Sequence, residues 1–173
     1  MSEVANPTFL INAESDPVII RIEGRASFQN SATLQDFMSE MRRCGKVRYV
    51  IDFAHCSSMD STFLGVLAGA ALELRKLQPA GSLVFCRVGT RNLELIRNLG
   101  LHRLVTVDTD ENASCVADLG QPVKALAVGA KLDELANARL VLAAHENLVS
   151  ADEQNLVKFQ DVLSFLKGRI EQG

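Results

Sequence analysis

Two near-continuous apolar runs, VRYVIDF (Val47–Phe53) and SLVFCRV (Ser82–Val88), constrain the fold of this chain more than any other feature. A strand without polar alternation needs cover on both faces, which is the situation of a central strand in a layered sheet. Between the runs lies a segment that reads as a helix beginning near Ser61. Strand, helix, strand in this order implies an α/β sheet.

The flanking segments extend the pattern. TFLI (Thr8–Ile11) and PVIIRIE (Pro17–Glu23) are short β-branched runs around the polar turn NAESD, which predicts an N-terminal hairpin ended by Gly24. SATLQDFMSEMRRCG places Leu34, Phe37, Met38 and Met41 at helical spacing, with Asn30 or Ser31 as N-cap and Gly45 as the stop. TRNLELIRNLG predicts a short helix capped by Thr90 and stopped by Gly100, and HRLVTVD (His102–Asp108) a last strand at a sheet edge.

From Asp108 to Gln121 the chain is polar and reads as a linker, which divides it into an α/β domain over residues 1–118 and an extension over 119–173. In the extension Val128, Leu135, Leu142 and Val149 recur every seven residues, with Leu132 between. After SADE (Ser150–Glu153, a capping-box spacing) the apolar positions are Leu156, Phe159, Leu163, Leu166 and Ile170. The expectation is a helical hairpin with arms of roughly 39 and 30 Å at about 1.5 Å per residue. Each stripe needs a partner surface. The arms either pack on each other and on the α/β domain, or form an interface with a second copy or another protein.

Composition narrows the function. The formal net charge of −3, with no Lys/Arg-rich run, argues against nucleic acid and against attraction to a membrane surface. The polar start and the lack of any apolar stretch of about 18 residues predict no leader and no membrane span. Cys44, Cys56, Cys86 and Cys115 are widely spaced without a C-x-x-C pair, so a zinc site is not expected. Small buried thiols in a reduced, cytoplasmic protein are the expectation.

Catalytic signatures are lacking: there is no G-x-S-x-G, no phosphate-binding glycine loop and no H-E-x-x-H. His55, His102 and His145 are scattered and form no triad with any serine that spacing alone would identify. Asp52 and Asp60 flank a serine-rich loop, a pairing suited to acid/base work or magnesium, or simply to a strand end and a helix cap. Neither a cofactor nor a catalytic residue is predicted.

The segment VIDFAHCSSMDSTFLGVLAG resembles the signature of the STAS domain, the family of bacterial anti-sigma-factor antagonists and their relatives. Those proteins carry a strand ending in Asp, a short loop, and Asp-Ser-[Ser/Thr]-Gly-Leu-Gly opening a helix. Here Asp52 ends the strand and the signature is Asp60-Ser61-Thr62-Phe63-Leu64-Gly65. The likeness spans about Thr8 to Asp108, and it implies a small mixed sheet with an N-terminal hairpin and helices, with the C-terminal helical hairpin outside it.

The resemblance also implies a function. In the family the serine after the signature Asp is phosphorylated by a partner kinase, which places the switch on Ser61, with Thr62 as the alternative. The unphosphorylated protein binds an anti-sigma factor, often the kinase itself, and a metal-dependent phosphatase resets it. The implied contact face comprises Ser58, Met59, Asp60, Ser61, Thr62, Phe63, Leu64 and Gly65, with Ser27 and Asn30 from the neighbouring loop. Phosphate at a helix N-terminus meets unpaired N–H groups and the positive end of the dipole, while adding about −1.5 to −2 of charge to the face. Two positions depart from the family pattern. Phe63 replaces a glycine, so it either anchors a partner or repacks the loop, and Ser27 stands about where many relatives have an acidic residue. The alternative function is an unphosphorylated scaffold or assembly subunit that dimerises through its C-terminal helices.

Overall fold

The computed structural model describes residues 8–109, 124–127, 129 and 131–172. The apolar runs form the sheet. β1 (Phe9–Asn12) and β2 (Val18–Ile22) make the expected antiparallel hairpin, its turn held by the Asn12 carboxamide oxygen, which accepts from the Glu14 and Ser15 amides at 3.2 Å. β4 (Arg48–Asp52) lies parallel between β2 and β6 (Ser82–Cys86), and β7 (Thr106–Asp108) is the parallel edge beyond β6. Alternation along β4 and β6 sends Tyr49, Ile51, Leu83 and Phe85 into the main core, and Val50, Val84 and Cys86 into a second cluster. Both faces of the central strands are therefore apolar, as their sequence requires.

Several boundaries differ from expectation. A two-residue strand, β8 (Lys124–Ala125), pairs with β1 and extends the sheet where helix alone was expected, giving the order β7-β6-β4-β2-β1-β8. A separate parallel pair, β3 (Gly24–Ala26) with β5 (Cys56–Met59), occupies what read as loop on both sides. The first helix, α1 (Phe28–Arg43), starts three or four residues early, because Ser27 rather than Asn30 or Ser31 is the N-cap. The Asn30 side chain closes the box on the Ser27 amide at 3.0 Å. Gly45 follows with φ +92°, the left-handed geometry that ends helices. α3 (Thr90–Asn98) is preceded by Gly89, not capped by Thr90, and the start of the predicted last strand is a 3₁₀ turn at Leu101–Arg103.

α2 (Ser61–Arg75) begins where expected and is apolar without interruption from Phe63 to Leu72, so both its inner and outer faces are apolar there. Leu64, Leu67, Ala68, Ala71 and Leu74 face the sheet core, and Val66 packs outward with Leu140 and Ala144. Such a helix needs cover on both sides. The outer layer is α4 (Glu134–Ala151), with α5 (Asn155–Gln172) returning along it, each about 27 Å long at 1.5 Å per residue. The hairpin thus packs on the α/β body.

Its seam is not the expected seven-residue stripe. Leu135, Leu142 and Val149 are only half-buried and Val128 lies outside the described residues, whereas Ala138, Leu140, Ala144, His145 and Leu148 are buried. The close approach explains this: a Cβ at Gly65 would overlap the Ala144 carbonyl, and one at Gly69 the Asn147 side chain. No described helix is long and apolar enough to cross a membrane. Cys44 and Cys56 are free thiols, exposed and buried respectively, but Cys86 is disulfide-bonded, against the expectation of reduced cysteines throughout. Cys115 and the 118/119 boundary lie outside the described residues.

Candidate functional site

The sheet ends on one side in the β3–α1, β5–α2 and β6–α3 junctions. Asp60 joins two of them. One of its carboxylate oxygens accepts from the Phe63 amide at 2.9 Å, capping α2, and the other accepts from the Phe28 amide at 2.8 Å, at the start of α1. Its own amide donates to the Ala26 carbonyl at 3.2 Å. One carboxylate therefore sits between two helix N-termini, where the dipoles stabilise negative charge. Around it, Ser27 is buried, the Ser31 hydroxyl donates to the Ser27 carbonyl at 2.7 Å, and the Asn30 amide group donates to the Arg25 carbonyl at 2.9 Å. The β3–α1 junction is thus held by hydrogen bonds made by Asp60, Asn30 and Ser31.

Ser61, half-buried, is the first residue of α2. Its Oγ lies 2.9 Å from Nε2 of His145 on α4, 84 positions away in sequence. Nδ1 of His145 is 2.7 Å from the Val141 carbonyl, which can only accept, so Nδ1 carries a proton. A ring that carries its one proton on Nδ1 offers Nε2 as an acceptor to the Ser61 hydroxyl. The imidazole is buried and stands edge-on to Phe159 of α5, with ring centres 4.8 Å apart. Asn147 adds a hydrogen bond to the Gly65 carbonyl at 3.2 Å.

Of the ten residues implied for the contact face, Ser58, Met59, Asp60, Ser61 and Asn30 remain partly exposed at the hinge, and Ser27, Thr62, Phe63, Leu64 and Gly65 are buried. Phe63 does not project as an anchor. Its ring stacks on Phe9, centroids 6.1 Å apart and 12° from parallel. The exposed aromatic beside Asp60 is Phe28, 42% exposed, whose flank lines a cavity of about 520 Å³ with Ala32, Leu132 and Asn137. Sequence reasoning passed over Phe28 because the helix start was placed after it. It also passed over His145, though the unbroken apolar run Phe63–Leu72 in α2 signals that its outer face has a cover.

Asp52 and Asp60 do not form a pair for acid/base or metal chemistry. Asp52 is fully buried and accepts from Arg21 Nε at 3.1 Å, Arg87 Nε at 3.0 Å, Arg87 Nη2 and the Ala54 amide at 3.0 Å. Burial pushes its carboxyl up, but the bonds from Arg87, Ala54 and Arg21 outweigh that and hold it below the usual carboxylate range. Arg87 takes up a left-handed φ of +54° in making this contact. Asp52 is thus a buried clasp across β2, β4 and the β6–α3 loop. His55 sits apart, on Glu23 at 3.1 Å. Among the described residues no three His, Cys, Asp or Glu side chains converge as a metal site would require.

A family model described as the Mlab STAS domain matches residues 9–106. The chain belongs to the STAS-domain family. Solved structures share the fold at low identity. A Thermotoga maritima protein provisionally assigned as an anti-sigma factor antagonist has TM-score 0.54 and 15% identity over 60% of this chain and 88% of its own. The phosphorylated form of the Bacillus cell-fate determinant SpoIIAA has TM-score 0.50 and 20% identity, over 64% of this chain and 99% of its own. The unphosphorylated form of the anti-sigma factor antagonist SpoIIAA aligns with TM-score 0.48 and 19% identity, over 59% and 87%. No curated protein sequence matches the chain. In this STAS domain α4 and α5 lie beyond the span of the family model.

Proposed function

We propose that this STAS domain is an anti-sigma-factor antagonist, a protein-binding module that sequesters an anti-sigma factor with kinase activity while Ser61 is unphosphorylated. The observation that carries the reading is the place of Ser61: a hydroxyl in the first turn of α2, next to an Asp60 that caps two helices, in a STAS domain with the fold of SpoIIAA. Phosphate there adds about −1.5 to −2 of charge beside Asp60, so a partner covering that face meets a larger desolvation cost and loses charge complementarity. A loss of about 3 kcal/mol weakens binding more than a hundredfold. A metal-dependent phosphatase resets the switch, and the chain itself is no enzyme. The partly exposed Ser58, Met59 and Asn30, with Phe28, form the rim of the face.

The test is affinity capture from native cells with wild-type and Ser61→Asp baits, read by quantitative mass spectrometry. A protein with an ATP-binding kinase fold that is retained by the wild type and lost with Ser61→Asp supports the reading. A set of captured proteins that ignores the substitution contradicts it.

One observation favours the second reading, a scaffold or assembly subunit that is never phosphorylated. α5 leaves Val157 and Phe165 75% and 67% exposed, more apolar surface than a solvated helix face normally carries. Sedimentation of the wild type as a dimer, and of Val157→Glu/Phe165→Glu as a monomer, would favour assembly.

A further inference from the structure

The hydroxyl at the centre of the proposed switch is half-buried and already engaged. α4 crosses the first two turns of α2, the Ser61 hydroxyl is bonded to His145, and Gly65 touches the backbone of Ala144. A kinase cleft or an anti-sigma surface cannot enter between them.

We propose that the α4–α5 hairpin is a displaceable cover held in cis over Ser61 and the outer face of α2, and that a partner reaches either only after the hairpin has left. This rests on the reading of Ser61 and α2 as the partner contact.

Four observations support displacement rather than permanent packing. The family model ends at residue 106, before α4 begins at Glu134, so the hairpin lies outside the matched domain. The outward contact of Val66 with Leu140 and Ala144 forms a small cluster separate from the main core. The rest of the seam is largely polar or small: Ser61 with His145, Asn147 with the Gly65 carbonyl, glycine against alanine. Finally, Asn155 anchors the hairpin turn through its amide group to the Leu99 and Leu148 carbonyls at 2.9 and 2.7 Å, yet its buried carbonyl oxygen has no partner. Release to water satisfies that oxygen and offsets part of the cost of leaving. Leu148, with Ala151 and Phe159 packed beside it, reaches the main core, and these are the apolar contacts to be withdrawn.

The chain supplies its own references for a test. Cys44 is an exposed free thiol, and Cys56 a buried one whose pKa burial pushes up to about 11. Ser61→Cys is made in the full chain, alone and with Ala144→Arg or His145→Ala. Labelling by a maleimide is followed at each cysteine by peptide mass spectrometry. The expected result is that Ala144→Arg raises the rate at position 61, relative to Cys44, by about tenfold or more while Cys56 stays protected, with His145→Ala giving a smaller rise in the same sense. The same ratio in all three chains overturns the proposal. So does a rise at position 61 only in step with Cys56, which means the cover opens only when the whole fold does. Should Ala144→Arg fail to fold, His145→Ala decides alone. Labelling reads the cover without any phosphate. A working cover on a protein that never carries phosphate therefore sinks the switch and leaves the cover standing, and the reverse combination sinks only the cover.

Discussion

The Ser61 hydroxyl and the His145 imidazole meet at 2.9 Å across the α2–α4 seam, the proton on Nδ1 of the ring being fixed by the Val141 carbonyl 2.7 Å away. The contact links the first turn of the domain's signature helix to a segment beyond the family's span. The domain's most chemically distinctive hydroxyl is thereby tied to the added hairpin.

Asp60 supports two helices with one carboxylate. Asp60→Ala is expected to lose the α2 cap and the bond from the Phe28 amide, costing about 2 kcal/mol and lowering Tm by roughly 4–8 °C. Asp60→Asn, which keeps an acceptor, should cost about half as much. Urea unfolding of the three chains measures both, and equal midpoints would show that the carboxylate supports neither helix.

Phe63 occupies a position where the family has glycine, and the fold has closed around it. Restoring the family residue with Phe63→Gly removes a buried ring stacked on Phe9 and should destabilise the protein by about 4 kcal/mol. A surface anchor at this position would cost less than about 0.5 kcal/mol. Thermal unfolding separates the two outcomes.

Gly65 permits the contact of α2 with Ala144. Gly65→Ala places a methyl group on the Ala144 carbonyl, so α4 must shift. Hydrogen exchange should show amides of α4 losing protection while those of β2, β4 and β6 keep theirs, a local opening eased by about 1–3 kcal/mol. Unchanged protection in α4 would mean the seam is looser than its geometry indicates.

Asp52 sets an acid limit. Its folded-state pKa lies below the unfolded value, so its contribution is present above about pH 5 and is lost as pH falls through about 4 and below. Asp52→Asn leaves Arg21 and Arg87 without a counter-charge and should cost about 3 kcal/mol near neutrality. The difference between wild type and variant should narrow on acidification. A difference independent of pH between 7 and 3 would contradict the assignment.

What could be read in the sequence follows the range of the interactions. Val47–Phe53 and Ser82–Val88 announced themselves as central strands because burial on both faces demands a continuous apolar run. The start of α2 was legible because Asp60 caps it within three residues. The start of α1 was not, since Ser27, Phe28 and Asn30 look like loop until the capping box is closed in three dimensions. β3 and β5 pair across a gap of some thirty residues through backbone bonds that Arg25 and Ser58 do not advertise. The hairpin seam was misread for a similar reason. A seven-residue apolar stripe marks helices that meet through leucines, whereas α4 meets α2 through Gly65, Gly69 and Ala144. The Ser61–His145 bond spans 84 residues and could be seen only once the chain had folded.

The switch itself is tested most directly by mapping phosphosites on the protein isolated from its native cells across growth phases and stresses, with a Ser61→Ala strain beside it. The expected result is phosphate on Ser61, absent from the alanine strain and not moved to Thr62. Full recovery of the Ser61 peptide without phosphate under every condition would contradict the switch and leave the assembly role of α5 as the function to pursue.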